Sequence, residues 1–77
     1  FKITLNEINI GLSLFKLLAL SGLCESNGAA RKLIQGNGAR VNNNVINDIN
    51  YMIQQNDFHD NKLKLSAGKK KHVLVQL

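Results

Sequence analysis

The sequence predicts an α+β domain in which a two-helix, helix-turn-helix-like unit packs on a small, mainly antiparallel sheet. Three observations carry this expectation. Apolar residues recur at helical spacing up to Gly36 and alternate beyond it. Gly22, Gly36 and Gly38 punctuate the helical part where two short helices would have to stop. The C-terminal stretch reads as two alternating runs about an Ala67-Gly68 turn. With 77 residues, of which 44% are hydrophobic, the chain has room for one domain, residues 1–77, and one small core. It opens on Phe1 rather than Met, so a piece of a longer or processed protein is expected.

In "FKITLNEINI", residues 1–10, Phe1, Ile3 and Leu5 alternate, which predicts a short strand or an extended lead-in. The first helix is predicted over 13–21, with Ser13 as N-cap and Gly22 as stop. Its Leu14, Phe15, Leu17, Leu18 and Leu20 cover nearly the whole circumference and Lys16 is its only charge, the pattern of a core helix. A short link near Gly22–Glu25 leads to a second helix over 26–35, capped by Ser26 or Asn27. At ~100° per residue, Ala29, Ala30, Leu33 and Ile34 share an apolar face, while Arg31, Lys32 and Gln35 lie opposite. Asn42 and Asn43 form a candidate two-residue hairpin turn, because Asn tolerates the left-handed backbone such turns need. "DINYMI", 48–53, has the spacing of a helical turn, and "QQNDFHDN" reads as a loop anchored by Phe58. The end, 62–77, is a hairpin with Lys69, Lys70 and Lys71 at its mouth.

Ten Lys and Arg against five Asp and Glu give a net charge of +5, which suggests a polyanionic partner. The single cysteine, Cys24, excludes an intrachain disulfide and reads as a small buried apolar residue. No stretch approaches the ~20 apolar residues of a membrane-spanning helix. Enzyme signatures are missing. No Gly-rich phosphate loop precedes a Lys-Ser or Lys-Thr pair, and "GNG" lacks both the third glycine and the preceding strand of a dinucleotide fingerprint. Asp57, His59 and Asp60 lie in a polar loop and read as solvated surface rather than as a metal or acid–base site. No catalytic residue, metal or cofactor is expected in this chain.

Nucleic-acid binding fits better. "RKLIQGNGARVNNN", 31–44, places Arg31 and Lys32 on one helical face and Arg40 at the start of the next strand. Asn37, Asn42 and Asn43 add neutral donors, and backbone N–H groups near Gly36 and Gly38 are candidates for more. Such a set binds phosphate and sugar without reading sequence. The candidate RNA-contacting residues are Ser26, Asn27, Arg31, Lys32, Gln35, Asn37, Arg40, Asn42 and Asn43, with Lys69, Lys70 and Lys71 as a second basic contribution. Aromatics are 5% of the chain and none sits among basic residues at a strand centre, so structured RNA suits it better than a stacking platform for single strands.

"SNGAARKLIQGNGARVNNNVIND" resembles the core motif of the S-four-type RNA-binding domain, the alpha-L motif. The residues that carry the resemblance are Ser26, Ala30, Arg31, Lys32, Leu33, Ile34, Gly38, Val41, Asn42 and Asp48. "LLALSGLCES" is similar to the family's first helix and link, and "LSAGKKKHVLVQL" to the Gly-Lys-Lys hairpin that ends bacterial tyrosyl-tRNA synthetases. Two positions depart: Ala29 stands where the family has an acidic capping partner, and Asn43 where it has a turn glycine. The resemblance implies an appended C-terminal domain that binds tRNA for tyrosine, including its long variable arm. A separate ATP-using catalytic domain of the same polypeptide, in a cytoplasmic homodimeric parent, would then perform aminoacylation. The alternatives are an S-four-type module of a pseudouridine synthase or ribosome-associated factor and, from another class, a protein-interaction module with a solubilising basic surface.

Overall fold

The computed structural model describes residues 1–77 and contains three α-helices and four strands. These are α1 (Leu5–Ile10), α2 (Leu14–Leu20), α3 (Asn27–Gln35), β1 (Ala39–Val41), β2 (Asn44–Val45), β3 (Lys62–Ala67) and β4 (Lys71–Gln76), with a 3-10 turn at Gln55–Asp57. The sheet order is β2-β1-β3-β4, and every neighbouring pair is antiparallel. The predicted α+β class, both predicted helices and the terminal hairpin are present.

The N-terminal stretch divides where its apolar alternation predicts continuity. Residues 1–3 are extended against the outer edge of β4: the Ile3 amide donates to the Gln76 carbonyl at 2.9 Å and the Gln76 amide to the Phe1 carbonyl at 2.8 Å. The chain then turns helical instead of continuing as a strand. Thr4 and Glu7 form a reciprocal capping box, with the Glu7 amide donating to Thr4 Oγ1 and the Thr4 amide to Glu7 Oε1, each at 3.3 Å. Two otherwise orphaned N–H groups are satisfied at once, and that overrides a three-residue alternation. The 48–53 segment makes only a single turn: the Tyr51 amide donates to the Asp48 carbonyl at 3.1 Å. It then runs extended against the start of α2, where the Leu14 amide donates to the Tyr51 carbonyl and the Ile53 amide to that of Leu12.

The core lies between the helices and one sheet face. Leu14, Leu17 and Leu18 of α2, Ala30 and Ile34 of α3, and Leu63, Leu65 and Val75 of the hairpin are completely buried. Each large aliphatic side chain among them contributes roughly 1.5–3 kcal/mol relative to exposure. Ala30 and Ile34, four residues apart, define the centre of α3's inner face. Ala29 is exposed rather than part of that face, because it lies roughly 120° round the helix from that centre. After α3 the chain passes close over its own last turn. A Cβ at Gly38 would stand 2.5 Å from Leu33 Cδ1, so only glycine lets β1 start there without displacing Leu33.

Strand pairing sets the outer face of the sheet. Val45 pairs with Arg40, Arg40 with Ser66 and Ser66 with His72, forming one row across all four strands. Lys64 pairs with Leu74 two residues further along the same face. Val45 and Leu74 are about half exposed there, at 48% and 46%.

Candidate nucleic-acid interface

Helix α3 begins at Ser26, whose backbone is extended and whose Oγ accepts from the Ala29 amide at 3.1 Å. With Ala29 in the third position there is no reciprocal carboxylate. Asn27, Arg31, Lys32 and Gln35 are all exposed. Their surroundings differ. Arg31 turns toward α2, where its guanidinium carbon lies 5.0 Å from the centre of the Phe15 ring. A cation at this distance over a ring face is attracted by it, and Arg31 nevertheless stays exposed. Lys32 lies opposite the buried stripe of α3 and carries its charge freely into solvent.

The junction after α3 uses its polar groups internally more than the sequence suggests. The Gly36, Asn37 and Gly38 amides donate to the carbonyls of Lys32, Ile34 and Leu33 at 3.0, 3.1 and 2.9 Å. They close the helix end and are not available to a ligand. Asn37 takes φ 62° just past the helix C-terminus, with its side chain exposed. Arg40 is exposed on the outer sheet face, a different layer from α3.

Asn42 and Asn43 form the predicted tight turn, with φ 51° and 71°. Their side chains diverge. Asn42 is half buried; its Nδ2 donates to the Asp57 carbonyl at 2.6 Å and its Oδ1 accepts from the Lys64 amide at 3.0 Å. Asn42 therefore ties the β1–β2 turn to β3 and to the 3-10 turn. Asn43 is exposed and its Oδ1 accepts from Lys64 Nζ at 3.3 Å. Lys64 thus joins Arg40 on the outer face. It is absent from the candidates drawn from sequence, although the alternation in "KLKLS" sets Lys62, Lys64 and Ser66 opposite Leu63 and Leu65.

Asp57 is likewise internal. Its Oδ1 accepts from the Tyr51 hydroxyl at 2.8 Å and its Oδ2 from the Gln54 amide at 2.9 Å. Burial, followed by the hydrogen bond and charge of Asp57, pushes the Tyr51 phenol up to about 12. No group of three or more His, Cys, Asp or Glu is arranged to hold a metal ion. His72 is exposed, with Nδ1 2.9 Å from the buried Ser66 Oγ.

Lys69, Lys70 and Lys71 are exposed at the β3–β4 turn. The turn is set by Gly68, φ 69°, whose amide donates to the Gly38 carbonyl at 2.7 Å. That bond fixes the lysine turn beside the end of α3, with an open groove of about 340 Å³ between them. Cys24 lines the groove and is half buried rather than fully so. Burial pushes its thiol up, and the Lys71 charge pulls it back by a lesser amount.

Residues 2–75 match the model of the tyrosine–tRNA ligase SYY-like C-terminal domain. The chain is similar to the tyrosine–tRNA ligase of Wolbachia sp. subsp. Brugia malayi, at 50% identity over all of this chain and 19% of that protein. It is 44% identical to that of Bartonella henselae, over 99% of this chain and 18% of the relative. The identity to that of Orientia tsutsugamushi is 40%, over 94% of this chain and 17% of the relative. The chain thus spans less than a fifth of the length of these relatives.

Proposed function

As this chain belongs to the tyrosine–tRNA ligase SYY-like C-terminal domain family, we propose that it is the tRNA-binding appended domain of a tyrosine–tRNA ligase. The observation that carries this reading is the match across residues 2–75. The geometry gives it a physical basis. Arg31 is held over Phe15, Lys32 points away from the core, Arg40 and Lys64 share the outer sheet face, and three lysines crowd one turn. Each cation can neutralise a phosphate, and none needs to read a base. In the parent protein, ATP-dependent joining of tyrosine to its tRNA belongs to the remainder of the polypeptide. A cytoplasmic homodimer with an S-four-type module at its end is the parent that this reading expects.

Within this proposal the twelve sequence-derived residues fall into two groups. Arg31, Lys32, Arg40, Asn43 and Lys69–Lys71 contact the RNA backbone, joined by Lys64, and Asn27, Gln35 and Asn37 are exposed neutral donors at its edge. Ser26 and Asn42 act by holding α3 and the β1–β2 turn in place. The test is the affinity of the 77-residue chain for tRNA across a salt series, beside a neutral polymer. The expected result is tight, strongly salt-dependent binding to tRNA alone. Equal, salt-independent behaviour toward both would overturn the proposal.

A further inference from the structure

The groove between α3 and the lysine turn joins two basic regions that lie far apart in the sequence. Leu23, Cys24, Ala29, Leu33 and Ala67 line it, and Glu25 and Lys71 are its charged side chains. Its volume of about 340 Å³ falls within the range of small-ligand pockets. Lys71 lines it, Lys69 and Lys70 precede Lys71 on the same exposed turn, and on the helix the exposed Lys32 is one residue from Leu33 and three from Ala29. The bond from the Gly68 amide to the Gly38 carbonyl, 2.7 Å, holds the two sides together. A largely apolar groove with lysines beside it matches the chemistry of one nucleotide: a flat base that gains by leaving water, attached to phosphates on either side.

We infer that this groove receives a single unstacked nucleotide of a structured RNA, its base lying against Leu23, Ala29, Leu33 and Ala67. Lys32 and Lys71 hold the phosphates on either side of that base. Glu25 accepts from N–H groups on its edge, which favours guanine, whose N1–H and N2–H point the same way. The inference rests on the RNA-binding reading and deepens it. RNA-binding proteins reach sequence information through bases splayed from loops and bulges, since the deep groove of a paired RNA helix is closed to side chains. The rest of the cationic surface positions the backbone, and this groove is where a base is sensed.

The experiment uses the isotopically labelled 77-residue chain and two RNA hairpins, one with a single bulged guanosine and one fully paired. The bulged hairpin is expected to shift the methyl resonances of Leu23, Ala29, Leu33 and Ala67 and to give nuclear Overhauser contacts from those methyls to base protons. The paired hairpin should shift only the lysine and arginine regions. Filling the groove with Ala29→Phe, at an exposed position, should weaken binding of the bulged hairpin about tenfold, roughly 1.4 kcal/mol. It should leave the paired hairpin unchanged. If both hairpins bind without groove shifts, or shift the groove alike, the groove proposal fails and the RNA-binding reading stands. The groove proposal alone fails, too, if the chain binds tRNA but not the bulged hairpin. If no RNA binds, both fail.

Discussion

The turn at Asn42–Asn43 and the turn at Gly68–Lys70 both join neighbouring antiparallel strands, and both use a positive φ to do so. Each also lies in a run of one polar residue type. In the first, Asn42 directs its amide inward to the Asp57 carbonyl and the Lys64 amide. In the second, glycine supplies the conformation and the lysines stand in solvent. The difference separates two uses of polarity that look alike on paper. A side chain with both a donor and an acceptor can replace missing backbone partners inside a small domain. A lysine has donors only and a charge that is costly to bury, so a cluster of them stays outside and acts at a distance.

The largest expected effect therefore falls on Asn42. Asn42→Ala removes both internal bonds, leaves a carbonyl and an amide without partners, and puts a Cβ-bearing residue with no local hydrogen bond at φ 51°. Two orphaned groups at ~1–3 kcal/mol each put the loss at about 2–6 kcal/mol, measured by urea unfolding. The opposite substitution, Lys69, Lys70 and Lys71 together to Gln, should move stability by no more than ~0.5 kcal/mol. Its effect belongs to binding: the log–log salt slope should fall by about 1 for each lysine that neutralises a phosphate. A lysine variant that unfolds early, or an Asn42 variant of full stability, would dissolve the contrast between the turns.

Tyr51 extends the inward side of the comparison, because it holds the same Asp57 through the carboxylate. Its phenol is raised to about 12 in the folded chain against 10.0 for the free group. The unfolded chain thus loses this proton first on going alkaline. The stabilisation is complete below pH ~10 and is lost as pH rises through ~10 to ~12. Tyr51→Phe should flatten the thermal stability profile over that window relative to the unsubstituted chain, and leave tRNA binding at neutral pH unchanged. An identical alkaline profile in the two proteins would mean that neither the burial of Tyr51 nor its bond to Asp57 persists in solution.

Arg31 is intermediate between the two turns, since one cation serves both packing and solvent. Arg31→Ala should cost ~0.5–1 kcal/mol through the lost contact with Phe15, and Arg40→Ala, which has no such ring, less. Each should lower the salt slope for tRNA by about 1. Equal stability of the two variants would remove Phe15 as the positioning element.

How much of this is legible in the sequence follows the reach of each interaction. The helices of 14–20 and 27–35 and the terminal hairpin are readable because periodicity, Ser caps and glycine stops are local signals. The capping box at Thr4 and Glu7 is equally local, as "TLNE", but it overlaps the alternation of Phe1, Ile3 and Leu5, which points to a strand instead. Lys64 is readable from alternation once β3 is placed. Asn42 is not: its two partners lie 15 and 22 residues away, and no local pattern distinguishes an inward amide from an outward one. The groove is not readable either, since its two walls meet only when β3 returns beside α3.

The smallest expected effect is the most discriminating one. Asn43 stands at φ 71°, a conformation that costs asparagine little and glycine nothing. Glycine at the second position of such a two-residue turn is the preferred partner of a preceding asparagine. Asn43→Gly should therefore stabilise the chain by a few tenths of a kcal/mol, offset in part by losing the exposed 3.3 Å bond from Lys64. That bond is exposed and long, so its loss weighs little. Because Asn42 keeps its inward bonds in this variant, any fall in tRNA affinity reports on the outward side of the turn alone. A measurable loss of affinity with unchanged stability makes Asn43, with the Lys64 it orients, part of the RNA surface. Unchanged affinity at every salt concentration makes the asparagine turn wholly structural and leaves Arg31, Lys32, Arg40 and the lysine turn to carry the RNA.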